Sequence, residues 1–378
     1  MLGITSKEME WGFCAKGESH SFMGSYVRIS NFLIIVVLTL VLIGCEKGIT
    51  GPGASSGNII CYEKSYNGHW EIFTNNIAGS DPQDVSNYSD DDEYPQWSPD
   101  GRYIVYSRSV PVNGPLIYVY DVESKISINL TSDGGGASQM PQWAPNGKVY
   151  FGYPYFWAKY RGTYIMNPDG TDRKKILDST ATIYFYNDSY NFLYVVDYTK
   201  VYKSNIDNAN SEFLFDISQT LNQQGALIQG FNPLADEFLT SPKTADGKSV
   251  IATYGIRTRS LNILLAAEEG YTFFQMKYSK DFSKIAFVEH SSNDEYLSVL
   301  ENGVKKRLAR IPASTPPVNF SYEPMQFSPD GRYIAFSKQV FQAGSWVSWA
   351  EYLYAVDVTS GAVQSIDEGF YPSWNPRP

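Results

Sequence analysis

The sequence predicts an all-β protein: a β-propeller of seven four-stranded blades, closed by pairing of the C-terminal strand with the N-terminal blade. Three observations predict it. The 378 residues include 29 Tyr, 21 Phe and 8 Trp, and aromatic side chains favour the half-buried surface of a strand. With 30 Gly and 20 Pro, turns are frequent and long helices are disfavoured. A short motif also recurs at intervals typical of propeller blades.

The recurring motif is an apolar strand that ends in an aromatic residue, a tight turn and a second apolar strand, as in YPQWSPDGRYIVYS. Copies occur at 94–107, 140–152, 183–196, 276–288 and 325–337. In the turn, Pro99 presets φ at the second position and Gly101 occupies the fourth. Residues 103–106 form a continuous apolar run, as expected for a strand buried on both faces between packed blades.

The aromatic residue that ends the first strand of each copy acts as an anchor that counts the blades. The anchors are Trp97, Trp143, Phe185, Phe231, Tyr278, Phe327 and Trp374. Successive anchors are 46, 42, 46, 47, 49 and 47 residues apart, a period typical of propellers. Phe231 is the weakest assignment, because residues 241–252 could instead form the hairpin of that repeat with an insertion.

The two ends of the repeat region complement each other. Trp374 is followed by only four residues, whereas residues 58–62 read as a second strand without a first. We therefore expect residues 371–375 to pair beside residues 58–63 and close the ring, which removes exposed sheet edges. The alternative is an open stack of hairpins or two smaller sandwiches.

The N-terminal segment reads as a targeting signal. Residues 32–43 form an apolar run of 12, too short to span a membrane but suited to the core of a signal peptide, and Arg28 precedes it. The following Leu42-Ile43-Gly44-Cys45 resembles the bacterial lipobox, which implies cleavage before Cys45 and a lipid on its sulfur. An unprocessed buried strand or helix is the alternative.

These features define three segments. Residues 1–44 are the predicted signal peptide, and translation is expected to start at Met23 because the preceding residues carry three Glu and fit a signal poorly. Residues 45–57 are a flexible tether rich in Gly and Ser. Residues 58–378 form the propeller. The expected location is the cell envelope, lipid-anchored on the periplasmic side of an outer membrane or at the cell surface.

Charge and composition exclude several classes of function. A net charge of −10 gives no basic face for nucleic acid. The three cysteines and three histidines are not spaced as metal ligands, so no cofactor is expected. The acidic loop 89–93 could hold calcium, although its spacing matches no known calcium loop and a solvated connection is the default.

No convincing catalytic set emerges from the sequence. A GxSxG pattern at 53–57 lies in the tether, where a nucleophile elbow would need a strand before it and a helix after it. Cys61 sits in an apolar strand and is interpreted as a small buried hydrophobe. His69 and His290 are interpreted as strand-end or surface residues. We therefore expect a protein that is not an enzyme.

Aromatic loops suggest a binding surface at the rim opposite the SPDG turns. The candidate partner-binding residues are Tyr155, Phe156, Trp157, Tyr160, Trp346, Trp349, Asp91 and Asp92. Exposed aromatic residues in loops often mark recognition surfaces. The alternative is that these side chains cap the ends of the blades.

The SPDG motifs resemble the PD40 (WD40-like) repeats of the TolB propeller and of prolyl oligopeptidase-like peptidases, over residues 58–376. The chain departs from both families, because only a short tether precedes the repeats and no segment remains for a hydrolase domain. The resemblance to TolB implies a non-enzymatic envelope lipoprotein that serves as a protein-binding scaffold, with an envelope protein or a peptidoglycan-associated component as partner. A carbohydrate-binding or carbohydrate-processing propeller, and a ligand sensor for an envelope complex, are the alternatives.

Overall fold

The structure is a computed structural model that describes residues 58–111, 114–132, 139–153, 161–179, 182–185, 192–197, 199–205, 210–220, 227–311, 325–341 and 349–377. These residues form seven four-stranded antiparallel sheets and one short helix, α1 (Ile217–Thr220). Within these ranges, no helix has the length and apolar character needed to cross a membrane. The fold is an all-β propeller, as the sequence predicts.

Six of the sheets, numbered here as blades 2 to 7, are made of four strands consecutive in the chain. Blade 2 contains β4 (Asp92–Trp97), β5 (Tyr103–Val110), β6 (Gly114–Asp121) and β7 (Ile126–Asn129), and blade 3 contains β8 (Gln139–Trp143), β9 (Val149–Tyr153), β10 (Gly162–Met166) and β11 (Lys174–Leu177). Blade 4 contains β12 (Thr182–Phe185), β13 (Phe192–Asp197), β14 (Lys200–Asn205) and β15 (Ser211–Asp216), and blade 5 contains β16 (Ile228–Asn232), β17 (Glu237–Thr240), β18 (Val250–Gly255) and β19 (Leu261–Ala266). Blade 6 contains β20 (Thr272–Tyr278), β21 (Lys284–His290), β22 (Glu295–Glu301) and β23 (Val304–Ile311), and blade 7 contains β24 (Gln326–Phe327), β25 (Tyr333–Phe341), β26 (Trp349–Asp357) and β27 (Val363–Glu368).

Blade 1 joins the two ends of the described chain. The C-terminal strand β28 (Phe370–Trp374) pairs with β1 (Ile59–Tyr66), which is followed by β2 (His69–Asn76) and β3 (Gln83–Asp84). Ile60 lies opposite Trp374, and the Asn375 N–H donates to the Ile59 carbonyl at 2.8 Å. The predicted closure is therefore confirmed, and the innermost strand of the first blade comes from the end of the chain.

All seven anchors lie on the innermost strands, at or next to their ends. The weakest assignment, Phe231, is confirmed: it is buried on β16 and lies opposite Phe238 of the second strand. Of residues 241–252, the alternative hairpin, residues 241–249 instead connect β17 to β18, and the remaining three begin β18.

The SPDG turns have the predicted geometry. In the turn after β4, the Gly101 N–H donates to the Ser98 carbonyl at 2.9 Å, and Gly101 has a φ of 65°. The Ser98 hydroxyl also accepts the N–H of Tyr103 at 2.8 Å. The second copy, Ser328–Gly331, repeats this pattern with a turn hydrogen bond of 2.8 Å and a glycine φ of 69°. The serine thus fixes both sides of each turn.

The core lies between neighbouring blades. At the junction of blades 1 and 2, Cys61 and Ile72 pack with the anchor Trp97 and with Ile104. Equivalent buried clusters join blades 2 and 3, 4 and 5, 5 and 6, 6 and 7, and 7 and 1. Cys61 is fully buried, as predicted, and burial raises the pKa of its thiol. Each large apolar side chain buried in this way contributes about 1.5–3 kcal/mol.

Candidate functional site: the loop rim and the central channel

The propeller has two ends that differ in what they carry. Each innermost strand runs toward the turn that joins it to the second strand, so these turns gather at one end, the turn rim. The starts of the innermost strands gather at the other end, together with the connections between second and third strands. We call this end the loop rim, and the central channel opens there between the innermost strands.

Large apolar side chains at the loop rim are half-exposed. Met140 and Phe274, on the innermost strands of blades 3 and 6, are 58% and 46% exposed. Tyr66 and Tyr88 of blade 1 are 47% and 49% exposed. Exposed aromatic and Met side chains are enriched at recognition surfaces. The rim therefore offers contact area to a ligand or partner.

Backbone bulges shape the channel mouth. Tyr94, Met140, Gln275 and Tyr371 lie on the innermost strands of four blades, and all have a positive φ, between 48° and 58°. The pairing register shifts at or beside each of them. A bulky side chain in this region costs roughly 1–3 kcal/mol and persists only where its surroundings fix it. Such bulges re-aim side chains and are frequent next to functional sites.

An aromatic cluster joins blades 1 and 2 at this mouth. Tyr94 lies edge-on to Tyr371, with ring centroids 5.1 Å apart. Tyr371 in turn contacts Phe370 at 4.9 Å, and Phe370 contacts Trp70 at 5.0 Å. Edge-to-face pairs of this kind add to the stability gained from burial. The cluster makes one side of the mouth rigid and aromatic.

The prediction that Asp92 faces a partner is wrong. Asp92 starts β4, directly opposite Arg108 on β5, and is fully buried. Its two carboxylate oxygens accept hydrogen bonds from Nε and Nη2 of Arg108, at 2.7 and 2.8 Å. Burial alone would lower the pKa of Arg108, but the hydrogen bonds to Asp92 raise it above its usual value. The carboxylate is a structural partner of Arg108, a residue that the sequence analysis did not single out.

Asp91 and Glu93 of this loop are also partly buried. Asp91 is half-buried, and its Oδ1 accepts the N–H of Trp70 at 2.9 Å. Burial, Asp91 and Asp92 raise the pKa of Glu93. In the part of the chain that the structure describes, no group of three or more His, Cys, Asp or Glu side chains is placed to hold a metal ion, and this part includes the loop proposed for calcium.

Several predicted residues lie outside the described residues. Among the aromatic candidates these are Tyr155, Phe156, Trp157, Tyr160 and Trp346. Trp349 begins β26, but its side chain is not described. Cys45 and the tether pattern at 53–57 also lie outside these ranges. Their roles stay predictions.

The two described histidines lie at strand ends, as predicted. His69 begins β2, and His290 ends β21. Nδ1 of His290 lies 2.7 Å from Oε1 of the buried Glu295. Nearby, Lys338 of blade 7 is buried, and its Nζ has no hydrogen-bond acceptor among the described residues. Burial lowers the pKa of Lys338, while Glu295 opposes that shift.

A ring of side chains just before the anchors lines the channel wall, and the sequence analysis did not identify it. We call this position the ring level; its members are Gln96, Gln142, Tyr184, Gly230, Lys277, Gln326 and Ser373, and the side chain of Tyr184 is not described. Oε1 of Gln96 accepts the N–H of Trp143 at 2.5 Å, and Oγ of Ser373 accepts the N–H of Trp97 at 3.2 Å. Side chains at this level therefore link the innermost strands of blades 1 and 2 and of blades 2 and 3.

Comparison with known proteins shows the fold. No protein-family model matches the sequence, and no curated protein matches it either. Among solved structures, a puromycin-hydrolyzing peptidase from Mycobacterium tuberculosis is 11% identical, with a TM-score of 0.59 over 83% of this chain and 52% of that one. An oligogalacturonate lyase from Vibrio parahaemolyticus is 10% identical, with a TM-score of 0.56 over 82% of this chain and 85% of that one.

TolB from Acinetobacter baumannii is 16% identical, with a TM-score of 0.48 over 84% of this chain. The present chain spans 66% of that TolB. At such identities the likeness concerns the fold alone, and a fold hosts many functions. The chain is a β-propeller. Its function must be argued from its own residues.

Proposed function

We propose that this propeller is a non-enzymatic, lipid-anchored scaffold of the bacterial envelope, and that it binds another protein over the loop rim. The observation that carries the proposal is the apolar surface around the channel mouth. Met140 and Phe274 are half-exposed there, on innermost strands whose backbone is held in bulged conformations. Rigid strands that present exposed aromatic and Met side chains suit a protein partner.

The envelope location rests on the sequence. A 12-residue apolar run followed by Gly44 and Cys45 supports a lipid on the cysteine. The tether that follows is at most about 40 Å long when fully extended, so the propeller would lie close to its membrane. Replacing Cys45 by Ser should move the protein from the membrane to the soluble fraction. Retention of this variant in the membrane fraction would refute the lipid attachment at Cys45.

An in-cell crosslink tests the binding surface. A photo-crosslinker replaces Phe274 at the loop rim and, in a separate variant, Leu234 at the turn rim. Leu234 is the matched control because it is 74% exposed and lies on the turn that follows an innermost strand. A discrete protein adduct at Phe274 alone supports the scaffold and identifies the partner by mass spectrometry.

Other outcomes contradict the proposal. Equal adducts at Phe274 and Leu234 would indicate non-specific contact. No protein adduct at Phe274 would remove the basis for a protein partner and favour the carbohydrate alternative. Retention of the purified chain on insoluble polysaccharide, without added protein, would then decide for that alternative.

A further inference from the structure

Lys277 breaks the chemical pattern of the ring level. Blades 2, 3 and 7 carry Gln at this position, and blade 1 carries Ser373. Blade 6 carries a lysine on its innermost strand, opposite Ala286 of β21. The ring level therefore includes a positive charge in blade 6, where blades 1, 2, 3 and 7 have neutral polar groups.

Lys277 lies on the face of blade 6 that packs against blade 7. Ala286 belongs to the buried cluster between blades 6 and 7, with Phe327 and Ile334. Directly opposed residues in an antiparallel pair lie on the same face of the sheet, so Lys277 shares the face of Ala286. Because β20 is the innermost strand, Lys277 lies at the inner edge of this face, beside the channel.

Lys277 has no charge partner in the described part of the chain. It makes no hydrogen bond or ion pair with a described residue, although it is half-buried. Burial lowers its pKa, with no neighbouring carboxylate to oppose the shift. Most other enclosed cations here are paired, for example Lys305 with Glu289 at 2.8 Å. An uncompensated cation in a channel wall is unfavourable for folding and is typical of a binding group.

Neutral donors accompany this lysine. The side-chain oxygen Oε1 of Gln96 accepts a hydrogen bond from the N–H of Trp143, and Oε1 of Gln229 accepts one from the N–H of Met276 at 2.8 Å. Each amide group therefore turns its NH₂ away from these contacts, and neither NH₂ has an acceptor among the described residues. Gly230 adds no side chain to the ring level next to Lys277. The inner wall thus combines one cation with amide donors.

We propose that the channel binds a carboxylate at the ring level, through Lys277, and that this carboxylate belongs to a peptide segment of the partner protein inserted through the loop rim. The proposal rests on the proposed function. One lysine balances a single negative charge, which a carboxylate supplies, and two carboxylate oxygens can accept from several donors at once. The apolar Met140 and Phe274 at the mouth suit the side chains of a peptide.

The test uses the purified full chain and three probes in calorimetric titrations. The first is the peptide acetyl-Gly-Phe-Gly with a free terminal carboxylate, the second is the same peptide as its terminal amide, and the third is glucuronic acid. The variant Lys277→Gln places in blade 6 the residue that blades 2, 3 and 7 carry at this level. The control Lys280→Gln removes an equal charge from the exposed turn three residues further along.

The expected result is that the free acid binds at least about tenfold more tightly than the amide, since a hydrogen bond to a charged group is lost. Lys277→Gln should abolish this difference without lowering stability in urea, whereas Lys280→Gln should preserve it. Equal affinities for acid and amide, or no binding of the acid, would overturn the proposal. Binding of glucuronic acid but not of the peptide would overturn the assignment to a protein partner.

The crosslink at Phe274 separates this proposal from the proposed function. If both hold, Lys277→Gln reduces the yield of the Phe274 adduct. An unchanged adduct in Lys277→Gln means that the partner binds the rim without the carboxylate site, so only the present proposal fails. Loss of every Phe274 adduct in the wild-type protein means that the scaffold function itself fails.

Discussion

Replacing Gly101 by Ala tests how the C-terminal residues hold the ring closed. Gly101 has a φ of +65°, and a Cβ built there would lie 2.3 Å from Oδ1 of Asn375 and 2.8 Å from Cγ of Arg377. Asn375 is buried, and its Oδ1 accepts the N–H of Arg377 at 2.9 Å. The substitution therefore forces these C-terminal residues away from the turn that they cover.

Gly331 is a matched control in the same chain. It occupies the same turn position with a φ of +69°, but a Cβ there would meet no atom within 4 Å. A side chain in the left-handed region costs roughly 1–2 kcal/mol, so Gly331→Ala should lose about that much stability. Gly101→Ala adds the displaced hydrogen bonds and the strain of moving Asn375, for a total loss of about 2–4 kcal/mol.

Urea denaturation followed by tryptophan fluorescence measures both losses. Limited proteolysis provides a second measurement, because only Gly101→Ala should expose the C-terminal residues to cleavage. Equal losses of stability in the two variants would refute the reasoning, since the left-handed backbone would then account for the whole effect. Greater loss in Gly331→Ala would contradict it outright.

Three further predictions concern buried polar groups. Asp92→Asn should lower the free energy of unfolding by about 3–5 kcal/mol in urea, because Arg108 would stay charged without its partner. Burial raises the pKa of Cys61, so in a variant whose other cysteines are serine its thiol should react with a maleimide only on unfolding, as measured by mass spectrometry. The third prediction concerns Glu289. Burial alone would raise the pKa of this carboxyl group, but hydrogen bonds from Arg307 and Lys305 hold it below its ordinary value of 4.5. This group therefore stabilises the fold above pH 4.5 and loses the effect as pH falls, so the stability loss in Glu289→Gln should shrink in acid.

Each of these predictions has an opposing result. A loss in Asp92→Asn no greater than that in the exposed control Asp246→Asn would show that the buried pair contributes little. Labelling of Cys61 at the same rate in folded and unfolded protein would show that the thiol is accessible. A stability difference for Glu289→Gln that stays constant between neutral and acidic pH would show that its pKa is not lowered by folding.

The fold was predictable because local chemistry and global architecture agree. The spacing of the anchors predicted where each blade begins, since every anchor lies on an innermost strand. The incomplete blades at both ends of the repeat region predicted the ring closure, in which Ile60 pairs with Trp374. Proline and glycine in the SPDG turns predicted the hairpins, because their backbone preferences act within four residues.

The candidate site was less predictable because it depends on contacts between distant residues. Asp92 looks exposed within an acidic run, and only the pairing of β4 with β5 brings Arg108 against it. Lys277 looks like an ordinary strand residue until the innermost strands are aligned by register. One signal was present in the sequence: of the seven residues that precede an anchor, in QW, QW, YF, GF, KY, QF and SW, only Lys277 is charged.

The closure of blade 1 also imposes an order on folding. Its innermost strand, β28, follows every other described strand in the sequence, whereas its partner β1 precedes them all. During synthesis, one edge of β1 therefore has no partner until β28 has been made, after the six other blades. The ring can close only after that step, so the free edge of β1 is open to pairing with other chains for longer than the edge of any other described strand.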